Sequence, residues 1–311
     1  MNQPLEFIRR PRLGDYLQLI RVWNTPTAIV DSYAGYLLAA QADSRSVLHL
    51  CLVMLVSALV YSTGMAANDV IDHERDKTLH PGRPIPAGVI RRKAAGRFAG
   101  LLMLCALVAS AFLNWTVLLL CLGLIALTFT YNGWLKHKGF TGCLNMGACR
   151  FVNMWLGIAA AGGSLGRLWP LAATLGLYVT SITLLSLQEK EDIDKTSFFA
   201  LVSPLLLVLL PLAAFSVARL EREPAAWLAL LPLTVLAIWV FATAAVAARS
   251  LGSVAVGSVV RVAVTGIILL DSAVLLSSGK QLEGLVCALV LLPALALIRY
   301  IAPRPAAAEA S

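Results

Sequence analysis

Residues 66–88 read AANDVIDHERDKTLHPGRPIPAG. They close a nearly charge-free run, Val47 to Ala67, with Asp69, Asp72, Glu74 and Asp76 set beside Arg75, Lys77 and Arg83. Asn68, Asp72 and Asp76 are spaced four apart. On a helix they share one face over about 12 Å of axis. Like charges at i,i+4 repel mildly, so three stacked oxygen ligands favour a cation between them. Hard carboxylate and amide oxygens suit Mg²⁺, which keeps several waters and shares its shell with substrate phosphates. The competing reading is a solvated helix end whose acids pair with Arg75 and Lys77.

The chain around this stretch is a membrane protein by composition. Of its 311 residues, 59% are hydrophobic and 14% charged, against roughly 25% charged in a soluble domain. Its mean hydropathy is +0.80. Apolar runs fall near 19–40, 47–68, 94–113, 115–131, 143–162, 168–188, 199–219, 226–248, 258–278 and 282–302, which is ten candidate spans. The expected class is all-α: a polytopic transmembrane bundle of nine to ten helices. It has an N-terminal segment over 1–18, one membrane domain over 19–302 and a disordered Ala/Pro tail over 303–311.

The net charge of +8 does not mark a nucleic-acid partner, because the positive charges sort by loop as membrane topology requires. With the N-terminus cytoplasmic, Arg9, Arg10, Arg12, Arg75, Lys77, Arg83, Arg91, Arg92, Lys93, Arg97, Lys136, Lys138, Lys190, Lys195 and Arg249 share its side. Arg45, Arg167, Arg219, Arg222 and Lys280 lie opposite, a bias of about three to one. The expected location is therefore the plasma (inner) membrane, multi-pass, in contact with lipid, with both acidic loops on the cytoplasmic face. No cleavable leader is evident in MNQPLEFIRRPRLGDYLQ. The six cysteines are scattered without metal-ligand spacing. The four histidines carry no metal signal either.

The acidic pattern recurs. Residues 188–196 read QEKEDIDKT, and an offset of 120 lays Gln188 on Asn68, Glu189 on Asp69, Asp192 on Asp72 and Thr196 on Asp76. A rival register pairs Asp194-Lys195-Thr196 with Asp76-Lys77-Thr78, but it puts Lys190 on Asp72. Two acidic clusters facing each other across a bundle would clamp a diphosphate between metal ions.

NDxxDxxxD after the second span, a second acidic motif after the sixth, and the trailing Arg83-Pro84-Ile85-Pro86-Ala87-Gly88 resemble the UbiA superfamily of intramembrane prenyltransferases, and within it the bacterial EboC-like branch. The second motif departs from that family's usual DxxDxxxD, and ten spans exceed its usual nine. The resemblance implies an enzyme: a Mg²⁺-dependent prenyltransferase that ionises a polyprenyl diphosphate donor and passes the prenyl group to an aromatic or other lipophilic acceptor. It implies metal binding by Asn68, Asp69, Asp72, Asp76, Glu189 and Asp192, with Asp72, Asp76, Asp192 and Lys136 at the chemistry. Lys136, in Tyr131-Asn-Gly-Trp-Leu-Lys136, would hold a phosphate, helped by Arg83 and Arg150; positive-inside anchoring is its alternative reading. Arg21, Asn24 and Tyr131 would line the substrate cavity, with Asn24 toward the acceptor.

Asp31 and Asp271 are intramembrane acids and hence functional suspects, each able to pair with Arg21, Arg150 or Arg261. Trp23, Tyr33, Tyr36, Tyr131, Trp134 and Trp155 offer π faces to a carbocation or serve packing and the interface. Two rival functions stand beside the prenyltransferase. One is an ion-coupled carrier, against which the acids gather at one face instead of mid-membrane. The other is a same-fold transferase using another diphosphate donor.

Overall fold

The computed structural model describes residues 9–41, 46–190, 194–250 and 252–302. Among them there is no strand. The helices run α1 (Leu13–Leu19), α2 (Thr25–Ala39), α3 (Val47–Ile71), α4 (His73–Leu79), α5 (Arg92–Ala111), α6 (Trp115–Gly133), α7 (Phe140–Ala160) and α8 (Leu165–Ser186). There follow α9 (Lys195–Leu207), α10 (Leu209–Ala218), α11 (Leu230–Ala247), α12 (Ser253–Thr265), α13 (Ile267–Ser277), α14 (Gln281–Leu289) and α15 (Leu291–Tyr300).

Eight of the ten expected spans fall on segments long and apolar enough to cross a membrane. The other two depart from that pattern. α7 has 21 residues, but Asn145, Arg150 and Asn153 make it too polar to qualify. The first span, expected from residue 19, is broken: α2 begins only at Thr25 and has 15 residues. Pro26 lacks the N–H that a continuous helix would need and crowds the carbonyl four residues back, so the chain restarts there. Arg21 adopts φ 49°, ψ 53° at the break, a left-handed conformation uncommon for a side chain with a Cβ.

Prolines also joint the C-terminal spans. α9 ends at Leu207, four residues before Pro211, and α14 ends at Leu289, four before Pro293. In both, the proline ring removes the hydrogen bond to that carbonyl. α3, α5, α6 and α7 run unbroken.

α7 is the central post, packed against α2, α3, α6 and α8. Small residues allow the close approach. A Cβ on Gly35 of α2 would strike the Met154 carbonyl of α7, and one on Gly157 would strike the Ser32 carbonyl of α2. Gly147 stands in the same relation to Gly176 of α8. α13 is buried along its whole length, against α2, α11 and α14. Outward, Leu101, Leu104 and Val108 of α5 and Leu119 and Leu122 of α6 stay exposed, a belt that only lipid would cover.

Candidate active site

A cavity of about 460 Å³ opens at the end of the bundle where α3, α6 and α8 terminate. Its α3 wall is Ser57, Tyr61, Gly64 and Asn68, one stripe at helical spacing that Asp72 continues just past the helix end. α6 adds Leu124, Thr128 and Tyr131, and α7 adds Met146, Cys149, Arg150 and Asn153. The rim is closed by Asp76, His80 and Arg83 from α4 and the loop after it, by Lys136, and by Arg21. Ser186, two residues before the second acidic stretch, also reaches this wall.

The acids at the rim do not sit on one continuous helix, as the spacing predicts. α3 stops at Ile71, and Asp72 (φ −80°, ψ 3°) joins it to α4. The turn keeps helical pitch, since Asp72 N–H donates to the Asn68 carbonyl and Asp76 N–H to that of Asp72. The three side chains therefore still meet one cavity.

Cations interleave with these acids. Lys136 donates to Asn68 Oδ1 at 2.7 Å and also to the Asp72 carboxylate. Arg83 reaches Asp76 at 2.6 Å and Asp69 at 3.3 Å, and Arg21 reaches Asp69 at 2.9 Å. Burial holds the Lys136 ammonium below the usual lysine range, and Asp72 pulls it partway back. Burial, with Arg83 adding to it, keeps His80 below the usual histidine range.

Asp69 is not on the cavity surface. It is buried behind the rim, where its carboxylate holds Arg21 and Arg83. Asn24 does not line the cavity either; its side chain bears on Tyr61, which does. Arg150 lies at the floor, paired with Asp31 at 2.9 Å. Among the three arginines considered, Asp31 thus takes Arg150.

Asp192 falls outside the described residues, and so does the side chain of Glu189. Asp194 is described. Its side chain caps α9, accepting from the Thr196 and Ser197 N–H groups at 2.9 and 3.2 Å, and the Ser197 side chain first, with these N–H groups after it, holds its carboxyl below the ordinary range. A capping carboxylate is committed to its helix, which disfavours the register that made Asp194 a ligand.

Tyr61, Asn153, Arg75 and His80 line the cavity without having been singled out from sequence. Tyr61 could have been found, because it lies seven residues, two turns, before Asn68 on the same face. Asn153 follows Arg150 by three. Nothing local distinguishes Arg75 or His80 from other loop residues.

Among the described residues no three His, Cys, Asp or Glu side chains gather as a ready-made metal cage. Mg²⁺ needs none: one or two carboxylates with waters and substrate phosphates suffice. The oxygen donors Asn68, Asp72 and Asp76 on one rim fit that requirement, and the neighbouring Lys136, Arg83 and Arg21 fit phosphate oxygens.

Residues 28–250 match the UbiA prenyltransferase family. The digeranylgeranylglyceryl phosphate synthase of Sulfolobus acidocaldarius is 30% identical over 179 residues, 58% of this chain and 64% of that protein. The chain spans less than two thirds of the length of the curated relatives first matched. A UbiA homologue from Aeropyrum pernix K1 has the same fold, with a TM-score of 0.62 at 17% identity over 81% of this chain and 96% of that one. A UbiA homologue from Archaeoglobus fulgidus bound to GPP and Mg²⁺ superposes with a TM-score of 0.55 at 13% identity, over 84% of this chain and 99% of that one. With the match covering residues 28–250, the chain belongs to the UbiA prenyltransferase family.

Proposed function

We propose that this protein is a Mg²⁺-dependent membrane prenyltransferase that moves a prenyl group from a polyprenyl diphosphate to a lipophilic acceptor and releases diphosphate. The observation that carries the reading is the rim itself: Asn68, Asp72 and Asp76, interleaved with Arg21, Arg83 and Lys136, at the mouth of a cavity sunk into apolar helices. A phosphate-bearing head and a hydrocarbon tail need such a pairing of polar mouth and membrane-embedded wall. The family match, and the structure of a UbiA homologue bound to GPP and Mg²⁺, support it.

Bound metal would neutralise the diphosphate and stabilise the charge that grows on it as the leaving group departs. Asn68, Asp72 and Asp76 would hold it, with Asp192 and Glu189 as the opposing acids. Lys136 and Arg83 are already at the rim and would turn their donors from the acids to phosphate oxygens. Asp69 holds Arg21 and Arg83 in place from behind. Tyr61 and Tyr131 face the space where the allylic cation would form, and their π surfaces favour positive charge. The positive-inside bias supports a rim at the cytoplasmic face. Ser186, two residues before the second acidic stretch, borders the cavity, which supports the same end for both stretches.

The test is purified protein in detergent with Mg²⁺, labelled prenyl diphosphates of graded length and lipophilic acceptors, read as diphosphate release and prenylated product. Asp72→Ala should abolish Mg²⁺-dependent binding of a prenyl thiodiphosphate while the protein stays folded. Binding that is the same with and without EDTA would overturn the reading.

A further inference from the structure

Below the rim, where α2 crosses α7, lies a second ionic cluster. Asp31 of α2 and Asp271 of α13 are both fully buried, at 0% exposure. Oδ2 of Asp31 accepts from Nη1 of Arg150 and from Nδ2 of Asn153, each at 2.9 Å. Nη2 of Arg150 donates to Thr27 Oγ1 at 2.9 Å. Oδ1 of Asp31 and both carboxyl oxygens of Asp271 meet no donor from the described residues. Yet α13 packs directly on α2, and there the two buried carboxyl groups bear on one another. Arg150 on α7 and the Cys287 thiol on α14 are the other titratable groups that bear on them.

Two carboxylates and one guanidinium sum to a net negative charge in the membrane interior, which is costly. Two carboxylates in contact cannot both stay ionised there. Neither can they bond one another, since an ionised carboxylate only accepts. One proton removes both difficulties: the cluster becomes neutral, and a carboxylic acid donates to a carboxylate. A metal cation at the same place would stand against the Arg150 charge.

We propose that Asp31 and Asp271 share one proton under the cavity floor, so that Arg150 faces the substrates as a rigid, charge-compensated donor with Asp31 as its positioning residue. The sharing itself does not depend on the enzymatic reading; its catalytic consequence rests on that reading. During transfer an allylic cation forms between rim and floor. With Asp31 ionised, the floor beneath that cation is neutral. With Asp31 made an amide, the charge can still balance through Asp271, but Arg150 loses the carboxylate that fixes its guanidinium, and ionisation slows while the rim still binds the donor.

The experiment has two arms on the full chain in detergent. Infrared spectra at neutral pH should contain a carboxylic-acid C=O band that shifts in D₂O and disappears in Asp271→Asn, an amide of the same shape. Asp31→Asn should lower kcat about a hundredfold while Mg²⁺-dependent affinity for a prenyl thiodiphosphate stays within twofold. A wild-type spectrum without an Asp271-dependent acid band overturns the shared proton, and so does a thermal stability that requires Na⁺. Loss of donor affinity in step with kcat overturns the positioning role. If the wild-type protein turns over no prenyl donor, the infrared arm still decides the proton.

Discussion

Lys136→Met separates the two tasks that the rim asks of one ammonium group. In the structure Lys136 is held by Asn68 and Asp72, with 23% of its side chain exposed and 11% of that of Asp72. A metal ion that takes Asp72 must compete with this pair. A partly exposed ion pair is worth about 1 kcal/mol, so its removal should tighten Mg²⁺ binding about fivefold. The same ammonium is also the nearest donor for charge that develops on the departing diphosphate. Removing one preorganised donor of that kind costs about 3–4 kcal/mol, or 10²–10³ in rate. The variant should therefore bind Mg²⁺ more tightly and turn over far more slowly. Calorimetric Mg²⁺ titration in the presence of a prenyl thiodiphosphate gives the first quantity, and single-turnover release of labelled diphosphate gives the second. A fall in both together, or a variant that turns over normally, would refute the assignment of Lys136 to the leaving group.

Asp192→Asn and Glu189→Gln should each cost about a thousandfold in turnover, as expected for a lost ligand to a catalytic metal. Asp194→Asn should be nearly neutral, because asparagine caps a helix as well as aspartate does; a dead Asp194→Asn beside a healthy Asp192→Asn would reverse the register. Gly157→Ala drives a Cβ into the Ser32 carbonyl and to 2.6 Å from the Tyr36 nitrogen. It should destabilise by about 1–3 kcal/mol in detergent melts, whereas Gly123→Ala, with nothing within 4 Å, should not; equal melting of the two would show that the α2–α7 contact can relax.

The rim was readable because its residues are neighbours in sequence. Asn68, Asp72, Asp76 and Arg83 lie within sixteen positions of one another, and their spacing alone brings them to one place. The spans were readable because lipid imposes length and apolarity. The break at Pro26 could be anticipated from proline's missing donor, but the landing of Arg21 on Asp69 could not. The floor was hidden for a different reason. Asp31 and Arg150 are 119 residues apart, and they meet because Gly35 and Gly157 let two backbones touch. Glycine at a contact looks, in sequence, like glycine anywhere. Asp69 carried the same signal as its neighbours Asp72 and Asp76, and only the three-dimensional position of Arg21 and Arg83 separates its task from theirs.

The polarity of α7 bears on how the chain gets into the membrane at all. A helix with an arginine near its centre is disfavoured in lipid by about 2.5–3.5 kcal/mol for that residue alone, and Asn145 and Asn153 add to the burden. Its compensating groups, Asp31, Thr27 and the Ala28 carbonyl, all belong to α2, which the ribosome makes more than a hundred residues earlier. α2 is thus waiting when α7 emerges, and α7 settles as a partner of an earlier helix instead of as a free solute in lipid. The order of synthesis delivers the anion before the cation that needs it.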